Sequence, residues 1–257
     1  MTNKNRHKSY GRDHSGSDRS PNRANPDRNE NAGNVFIEWI KSLIIAGLFF
    51  MLIRTFILQT FVITSGSMEN TLLVGDFLVA NRAAVGARIP GTKIRIPGYS
   101  RAKRDEVIVF DPPHEPDLKL VKRLIGMPGD TVEMQEDKVL INGKIKEEPY
   151  AKYVDQDGDI YHPWMDWQFQ YLVDTIDRSS YHPTRSNWGP LVIQEDQYFM
   201  LGDNRDSSLD SRYWGLLEGW RIEGKATFIY FSYNKGSLKP FPWIREIRGN
   251  RSLSRIR

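Results

Sequence analysis

The sequence of 257 residues contains no cysteine. Disulfide bonds, thiolate metal sites and a cysteine nucleophile are therefore excluded. The fold must be stabilised by its hydrophobic core, and seven tryptophans and twelve phenylalanines supply large apolar side chains for one. A chain of this length can form one large domain or two modest ones.

Net charge is nearly absent outside the N-terminal segment. The whole chain carries a formal charge of +4, and residues 1–34 hold seven Lys and Arg against four Asp and Glu. The rest of the chain is thus close to neutral, which gives no support to nucleic-acid binding. Residues 1–34 contain few large apolar side chains, so we expect them to form a disordered basic tail.

Long uninterrupted apolar runs are missing too. The segment Val35–Ile63 is apolar, but charged side chains interrupt it, and the charge-free stretch Ser42–Ile53 has only 12 residues. That length is typical of the apolar part of a signal peptide, which is too short to span a bilayer. However, Lys41 and Arg54 flank the stretch, and their side chains can reach toward opposite headgroup layers.

We therefore predict an uncleaved transmembrane anchor over residues 35–58. A helix from Phe36 to about Phe56 measures about 31 Å, which is enough to cross the hydrocarbon layer. A cleaved signal peptide is the alternative, because the small residues Thr64–Ser67 loosely resemble a cleavage site. The basic tail predicts a cytoplasmic N-terminus, with everything after about residue 58 outside the cytoplasm.

Beyond the anchor the sequence predicts mainly β-structure. Short apolar runs bounded by turn residues and charges are typical of core strands. Such runs occur at Phe77–Ala80, Val107–Phe110, Leu118–Ile125, Val139–Ile141, Tyr198–Leu201 and Ala226–Tyr233. The pair Asn142-Gly143 directly follows one of them and predicts a β-hairpin.

Two later segments differ from this pattern. Residues 151–190 are aromatic and polar without clear periodicity, and we interpret them as an inserted cap packed against the main sheet. The domain that the cap interrupts would then consist of residues 59–150 and 191–257. From Lys239 onward the chain is strongly basic, which predicts a solvated tail; contact with anionic lipid headgroups is the alternative.

The sequence offers no recognisable serine–histidine–aspartate triad. Its five histidines lie in the basic tail or in predicted loops next to proline or acidic residues, and no His-x-x-His spacing occurs. A histidine base and a zinc site are both disfavoured on this basis. These residues are His7, His14, His114, His162 and His182.

A lysine is the other common base that deprotonates a serine hydroxyl. Ser67 lies just after the apolar segment, and Lys122 lies in a predicted strand farther along the chain. In a strand Lys122 shares a face with Leu120 and Leu124, so desolvation should lower its pKa and favour the neutral amine. Arg123 would point to the opposite face, where we assign it a structural role.

The polar block Gly202–Gly215 interleaves aspartate with arginine. A calcium loop is one interpretation, but the required ligand spacing is absent and the arginines compete for the carboxylates. An ion-pair network that fixes the shape of a loop explains the pattern better.

Together these motifs resemble the bacterial type I signal peptidases, also called leader peptidases. Four blocks occur in the order that the family shows: Ser65–Met68 with Thr71-Leu72, Gly75-Asp76 with Val79, Lys122–Asp130, and Gly202–Gly215. The resemblance covers the anchor and roughly residues 58–150 and 188–231. The tail, the details of the cap and the C-terminal segment after residue 231 lie outside it.

The resemblance implies a mainly β fold: an N-terminal transmembrane helix followed by an antiparallel β-sheet catalytic domain with an inserted cap. It implies a membrane-anchored serine endopeptidase that removes signal peptides through an acyl-enzyme intermediate, without metal or cofactor. Ser67 would be the nucleophile and Lys122 the general base. The Ser65 hydroxyl and the Ser67 amide would form the oxyanion hole, and Ser208 would hydrogen-bond the Lys122 amine.

Further roles follow from the same resemblance. Asp210 with Arg212, and Asp203 with Arg205, would brace the loop. The partners would be secretory preproteins with small residues at −1 and −3 and the phospholipid bilayer of the bacterial plasma (inner) membrane, with no nucleic acid. The residues lining the −1 and −3 pockets would be Phe61, Ile63, Met68, Leu72 and Val121.

This chain departs from the family at two positions. Asn70 and Thr64 stand where many members have proline, and at residue 70 we expect a looser turn.

Two rival functions are weighed against this resemblance. A self-cleaving serine–lysine protease of the stress-repressor kind would need a DNA-binding helix-turn-helix, which residues 1–34 cannot form. A non-enzymatic homologue would be expected to lack Ser67 or Lys122, and both are present.

Overall fold

The computed structural model describes residues 27–89, 92, 94–115, 118–154 and 159–256, without the side chains of residues 27–33, 88 and 95. The chain divides after Leu48 into two units, and the second contains every strand in the described part of the chain. Most of the predicted basic tail, residues 1–26, lies outside the described residues.

Helix α1 (Asp27–Phe56) carries the predicted anchor. Its portion Asn34–Phe56 is long and apolar enough to cross a membrane. The helix ends at Phe56, whereas the predicted anchor extends to residue 58. The expected disorder of residues 27–34 is wrong, because the helix already includes them. Once a helix has nucleated, each added residue gains a backbone hydrogen bond, so polar residues can extend an apolar helix.

Fourteen strands and three further short α-helices occur in the described residues. The strands are β1 Leu58–Val62, β2 Asp76–Asn81, β3 Ala87–Arg88, β4 Arg95–Ile96, β5 Val107–Phe110, β6 Leu120–Gly126, β7 Thr131–Gln135, β8 Lys138–Ile141, β9 Lys144–Ile145, β10 Trp188–Val192, β11 Gln197–Leu201, β12 Leu217–Glu218, β13 Ile222–Ser232 and β14 Ser254–Arg255. The helices are α2 Arg82–Val85, α3 Ser211–Trp214 and α4 Pro242–Arg245. Three 3₁₀ helices cover Pro163–Gln170, Arg205–Ser207 and Gly219–Arg221.

The strands form antiparallel sheets, so the predicted mainly β class is confirmed. The large sheet has the order β1-β2-β13-β5-β6-β11-β12, with β14 added to β13. A second sheet has the order β10-β7-β8-β9, and β3 pairs with β4 alone. Asn142 and Gly143 both have positive φ between β8 and β9, which confirms the predicted tight hairpin. Strand β1 was not predicted, because its residues continue the apolar anchor segment.

The predicted insertion is docked onto the β domain. Its 3₁₀ helix Pro163–Gln170 buries Met165, which belongs to a core cluster with Leu172, Leu191 and Phe199. The cap therefore packs mainly on the second sheet and on β11. Strand β10 begins at Trp188, so the insertion ends slightly before the expected boundary at residue 190.

The C-terminal segment is not the free, solvated tail that its charge predicts. Strand β14 pairs with β13, and Arg251 forms an ion pair at 2.6 Å with Asp76, which is fully buried. Ser232 Oγ also donates to the same carboxylate. A buried carboxylate requires such partners, and this requirement holds the basic segment on the sheet.

Candidate active site

The turn after β1 positions Ser67. The Gly66 carbonyl accepts from Glu69 N at 3.0 Å, and the Met68 carbonyl accepts from Leu72 N at 2.7 Å. These bonds form a compact turn that presents the Ser67 hydroxyl toward β6. The side chains of Met68 and Leu72 are buried beneath the turn and hold it on the core.

Asn204 fastens this turn to the polar block. Its backbone N–H donates to the Ser67 carbonyl at 3.1 Å, and its side-chain amide donates to the Gly66 carbonyl at 3.1 Å. Asn204 thus binds the backbone carbonyls on both sides of the Ser67 Cα atom. This role of Asn204 was not predicted, since nothing local in a polar loop indicates a hydrogen bond to a turn so far back in the sequence.

Lys122 meets Ser67 in the protein interior. Strand β6 lies between β5 and β11, and Lys122 pairs in register with Ile108. The Lys122 Nζ and Ser67 Oγ atoms are hydrogen-bonded at 2.5 Å. The two residues are only 2% and 9% exposed, respectively. An amine within hydrogen-bond reach of a hydroxyl has the geometry that proton transfer requires.

Burial lowers the pKa of Lys122 from its ordinary value of 10.5 to about 8. Desolvation is the largest cause, because a charged ammonium loses its water in this site. Asp210 and Asp203 oppose the shift by favouring the charged form, while Arg212 adds to it. At pH 7 roughly a tenth of Lys122 is therefore neutral, far more than for a solvated lysine, and a neutral amine can accept a proton.

Ser65 lies on the exposed side of the same turn. Its Oγ is 3.4 Å from Ser67 Oγ, so the two hydroxyls are neighbours. The Ser65 side chain is thereby close to the position where charge would develop on a carbonyl attacked by Ser67.

The expected hydrogen bond from Ser208 to the Lys122 amine is not formed. Ser208 is buried, but its Oγ makes no hydrogen bond. Its side chain instead packs over Gly202, where an added Cβ would lie 2.1 Å from Ser208 Oγ and 2.6 Å from the Ser67 carbonyl oxygen. Gly202 thus permits a close approach between the polar block and the Ser67 turn.

Asp210 and Arg212 form the ion pair that the sequence analysis expected. Arg212 Nε and Nη2 donate to the Asp210 carboxylate at 2.8 and 2.9 Å, and both residues are fully buried. The carboxylate also accepts from Gly202 N at 3.0 Å and caps α3. Burial opposes ionisation of Asp210, but the Arg212 charge and these hydrogen bonds hold its pKa below the usual range.

The other expected ion pair, between Asp203 and Arg205, is not formed, so this prediction is wrong. Asp203 accepts two hydrogen bonds from Arg123, at 2.8 Å from Nε and 2.7 Å from Nη2. Arg205 instead forms an ion pair with Glu148 at 2.7 Å. Because Lys122 and Arg123 point to opposite faces of β6, Arg123 reaches Asp203 behind the site and has the structural role expected of it.

Asn70 does not loosen the turn after Ser67. Its φ of 94° lies outside the range open to proline, whose ring fixes φ near −65°. Its side-chain amide also donates to the Tyr150 carbonyl at 3.0 Å. The residue that replaces the family's proline therefore ties the turn to a neighbouring segment.

The five residues expected to line substrate pockets lie together. They form part of one hydrophobic cluster between β1, β2, β5 and β13, in which Leu72 is fully buried. Their role in substrate binding stays a prediction. The members are Phe61, Ile63, Met68, Leu72 and Val121.

A different group of residues lines the cleft that opens onto Ser67 and Lys122. The cleft has a volume of about 610 Å³. Besides Ser65, Ser67 and Lys122 it is lined mainly by apolar and aromatic side chains, most of which the sequence analysis missed. They include Leu118, Leu120, Trp164, Leu209, Tyr213 and Trp214.

In the described part of the chain, no group of three or more His, Asp or Glu side chains could hold a metal ion. His114, His162 and His182 are all described, whereas His7 and His14 are outside the described residues. The side-chain groups in hydrogen-bond contact with Ser67 Oγ are the Lys122 amine and the Ser65 hydroxyl. Such groups can carry out acyl transfer by a serine.

Comparison with known proteins identifies the family. Residues 36–231 match the model described as signal peptidase, peptidase S26. Signal peptidase I of Pseudomonas aeruginosa is 32% identical over 225 residues, which cover 81% of this chain and 77% of the relative. Signal peptidase I of Bacillus licheniformis is 31% identical over 210 residues, covering 81% and 96%.

Two further proteins match this chain. Signal peptidase I of Rickettsia typhi is 31% identical over 264 residues, covering 91% of this chain and 96% of the relative. A solved signal peptidase I from Enterococcus faecalis V583 matches with a TM-score of 0.34 at 30% identity, covering 49% of this chain and 97% of that one. The chain therefore belongs to the signal peptidase I family, and is a serine endopeptidase of peptidase family S26 that removes signal peptides.

Proposed function

We propose that Ser67 is the nucleophile of this peptidase, that Lys122 is its general base, and that cleavage passes through an acyl-enzyme. The observation that carries the proposal is the 2.5 Å separation between Lys122 Nζ and Ser67 Oγ. Burial supports it further, because a lysine pKa lowered to about 8 leaves a neutral amine available.

The reaction divides into acylation and deacylation. Neutral Lys122 accepts the Ser67 proton as Oγ attacks the carbonyl of the residue at −1. The resulting ammonium then protonates the amine of the departing mature protein, which leaves the signal peptide esterified to Ser67. In the second step Lys122 deprotonates a water molecule that hydrolyses this ester, and Ser67 regains its proton.

The oxyanion of each tetrahedral intermediate would be held by the Ser67 amide and the Ser65 hydroxyl. Removing one such donor typically costs roughly 10²–10³ in rate. Asp210 and Arg212 would support the loop beside Lys122, and the Asp210 charge would limit how far the lysine pKa falls. Ser208 would aim the amine only after a side-chain rotation, since its Oγ makes no hydrogen bond here.

The preproteins would carry small residues at −1 and −3. Phe61, Ile63, Met68 and Val121 would form the walls of the corresponding shallow pockets, and Leu72 would back them from the core. Shallow apolar pockets accept alanine and exclude larger side chains, in agreement with the Ala-x-Ala pattern of signal peptides.

We further propose that α1 anchors the enzyme in the bacterial plasma membrane with its N-terminus in the cytoplasm. The basic residues before the apolar helix support this orientation. The β domain, residues 59–150 and 191–257 with the cap between them, would then act outside the cytoplasm. Confinement of enzyme and preprotein to one bilayer raises their effective concentration.

The test is cleavage of a labelled preprotein by the purified full-length enzyme in detergent. Ser67→Ala and Lys122→Ala should each abolish release of the shortened product. Ser180→Ala and Lys138→Ala are matched controls at exposed positions and should cleave at the wild-type rate. Near wild-type cleavage by either dyad variant would refute the assignment.

A further inference from the structure

The cleft beside the dyad is larger than cleavage after a small residue requires. Its volume of about 610 Å³ far exceeds the methyl group of an alanine at −1 or −3. The cleft is also lined by more apolar side chains than are needed to position Ser67 and Lys122. A binding cleft of this size and composition normally receives several groups of a ligand, and its walls set specificity.

Three large apolar side chains project into this cleft from separate segments. Leu118 lies before β6, Trp164 belongs to the cap, and Leu209 belongs to the polar block. Each is well exposed: 42%, 60% and 42%, respectively. Apolar side chains that converge on one cleft beside a nucleophile gain free energy when an apolar ligand covers them.

The cap fixes the backbone that carries Trp164. The backbone N–H of Trp164 donates to His162 Nδ1 at 3.2 Å, where the 3₁₀ helix begins. Trp167 Nε1 and Gln168 Nε2 both donate to the Arg212 carbonyl, at 3.0 and 3.1 Å. The cap is therefore tied to the loop that carries Asp210 and Arg212.

The part of the cleft lined by Trp214 is also formed before any ligand binds. The Trp214 ring packs against Phe110 and stacks with His114, at centroid distances of 5.7 and 6.1 Å. Its Nε1 donates to the Leu209 carbonyl at 3.3 Å. Preformed aromatic walls lower the ordering cost of binding.

We propose that this cleft is a specificity subsite that binds a bulky apolar side chain of the preprotein at a position other than −1 and −3. The inference rests on the proposed function and adds a second determinant to it. Trp164, Leu118 and Leu209 contact the substrate side chain, and Trp214 forms the wall behind it. An acidic side chain is disfavoured, since it would lose water against the apolar walls.

The test uses full-length enzyme in detergent and a panel of peptides with alanine fixed at −1 and −3. Positions −4, −2, +1 and +2 are each varied among Ala, Phe and Asp, and kcat/KM is measured for every peptide. The wild type should prefer Phe to Asp at one of these positions by on the order of tenfold or more. Trp164→Ala and Leu209→Ala should bring that ratio close to one.

Ile160→Ala is the matched control, because Ile160 is an exposed apolar residue near the cap helix that does not line the cleft. It should keep the wild-type ratio. Absence of any preference in the wild type, or a preference that survives both Trp164→Ala and Leu209→Ala, would overturn the subsite. Failure of the wild type to cleave any peptide with alanine at −1 and −3 would instead count against the proposed function.

Discussion

Replacing Lys122 by methionine should stabilise the protein at neutral pH while abolishing activity. Methionine is also long and unbranched, so it fills the same volume without an ionisable group. The wild-type amine titrates near its ordinary value of 10.5 when unfolded but at about 8 when folded. At 1.36 kcal/mol per pKa unit, folding with this amine costs about 3 kcal/mol below pH 8.

The pH dependence has a definite sign. Between about pH 8 and 10.5 the unfolded state binds the lysine proton and the folded state does not, so wild-type stability rises with pH. Above this window the cost disappears. The methionine variant also loses the hydrogen bond to Ser67, worth about 1 kcal/mol at every pH. We therefore expect the variant to be about 2 kcal/mol more stable at pH 7, and no more stable than the wild type above pH 10.5.

The measurement is urea unfolding of the detergent-solubilised full chain, followed by tryptophan fluorescence at pH 7, 8, 9, 10 and 10.5. Other titrating groups are common to both proteins and cancel in the difference. Lys138→Met, at an exposed position on β8, should show no such pH-dependent difference. A Lys122→Met difference that stays constant from pH 7 to 10.5 would mean that the amine is not desolvated, and the reasoning would be refuted.

Three other predictions follow from the site. Wild-type kcat/KM should rise with pH to a plateau with a midpoint near 8, and a midpoint near 10 would show a solvated lysine base. Gly202→Ala should lower kcat by roughly 10² or more in a folded protein, because the added methyl collides with Ser208 and the Ser67 carbonyl and displaces the nucleophile. Asp203→Asn should destabilise the protein by roughly 3–5 kcal/mol, because it removes the negative charge that pairs with buried Arg123.

Each structural prediction has a matched control. Gly236→Ala meets no close neighbour and should keep full activity. Glu69→Gln removes a more exposed ion pair with Lys152 and should change stability by no more than about 1 kcal/mol. Circular dichroism of Gly202→Ala distinguishes displacement of Ser67 from unfolding. An Asp203→Asn variant as stable as Glu69→Gln would contradict the role given to the buried pair.

Local sequence was enough to determine the elements that depend on neighbouring residues. Strand β5 and the Asn142-Gly143 hairpin were predicted correctly, because alternation, apolar runs and positive-φ turns are properties of short segments. The apolar composition of residues 34–56 likewise predicted a helix there, although α1 begins earlier, at Asp27. Proximity of Ser67 and Lys122 was expected from family resemblance and from the apolar face that Lys122 shares, and the two atoms are in contact.

Only the tertiary structure decided which distant groups are partners. Arg205 follows Asp203 closely in the sequence, yet Asp203 pairs with the distant Arg123, because the geometry of β6 directs that side chain behind the site. The cleft likewise joins Leu118, Trp164 and Leu209, whose sequence neighbours give no sign that they meet. Spacing along the chain reveals contacts made within a strand or turn, whereas contacts between segments depend on how the sheets and the cap pack together.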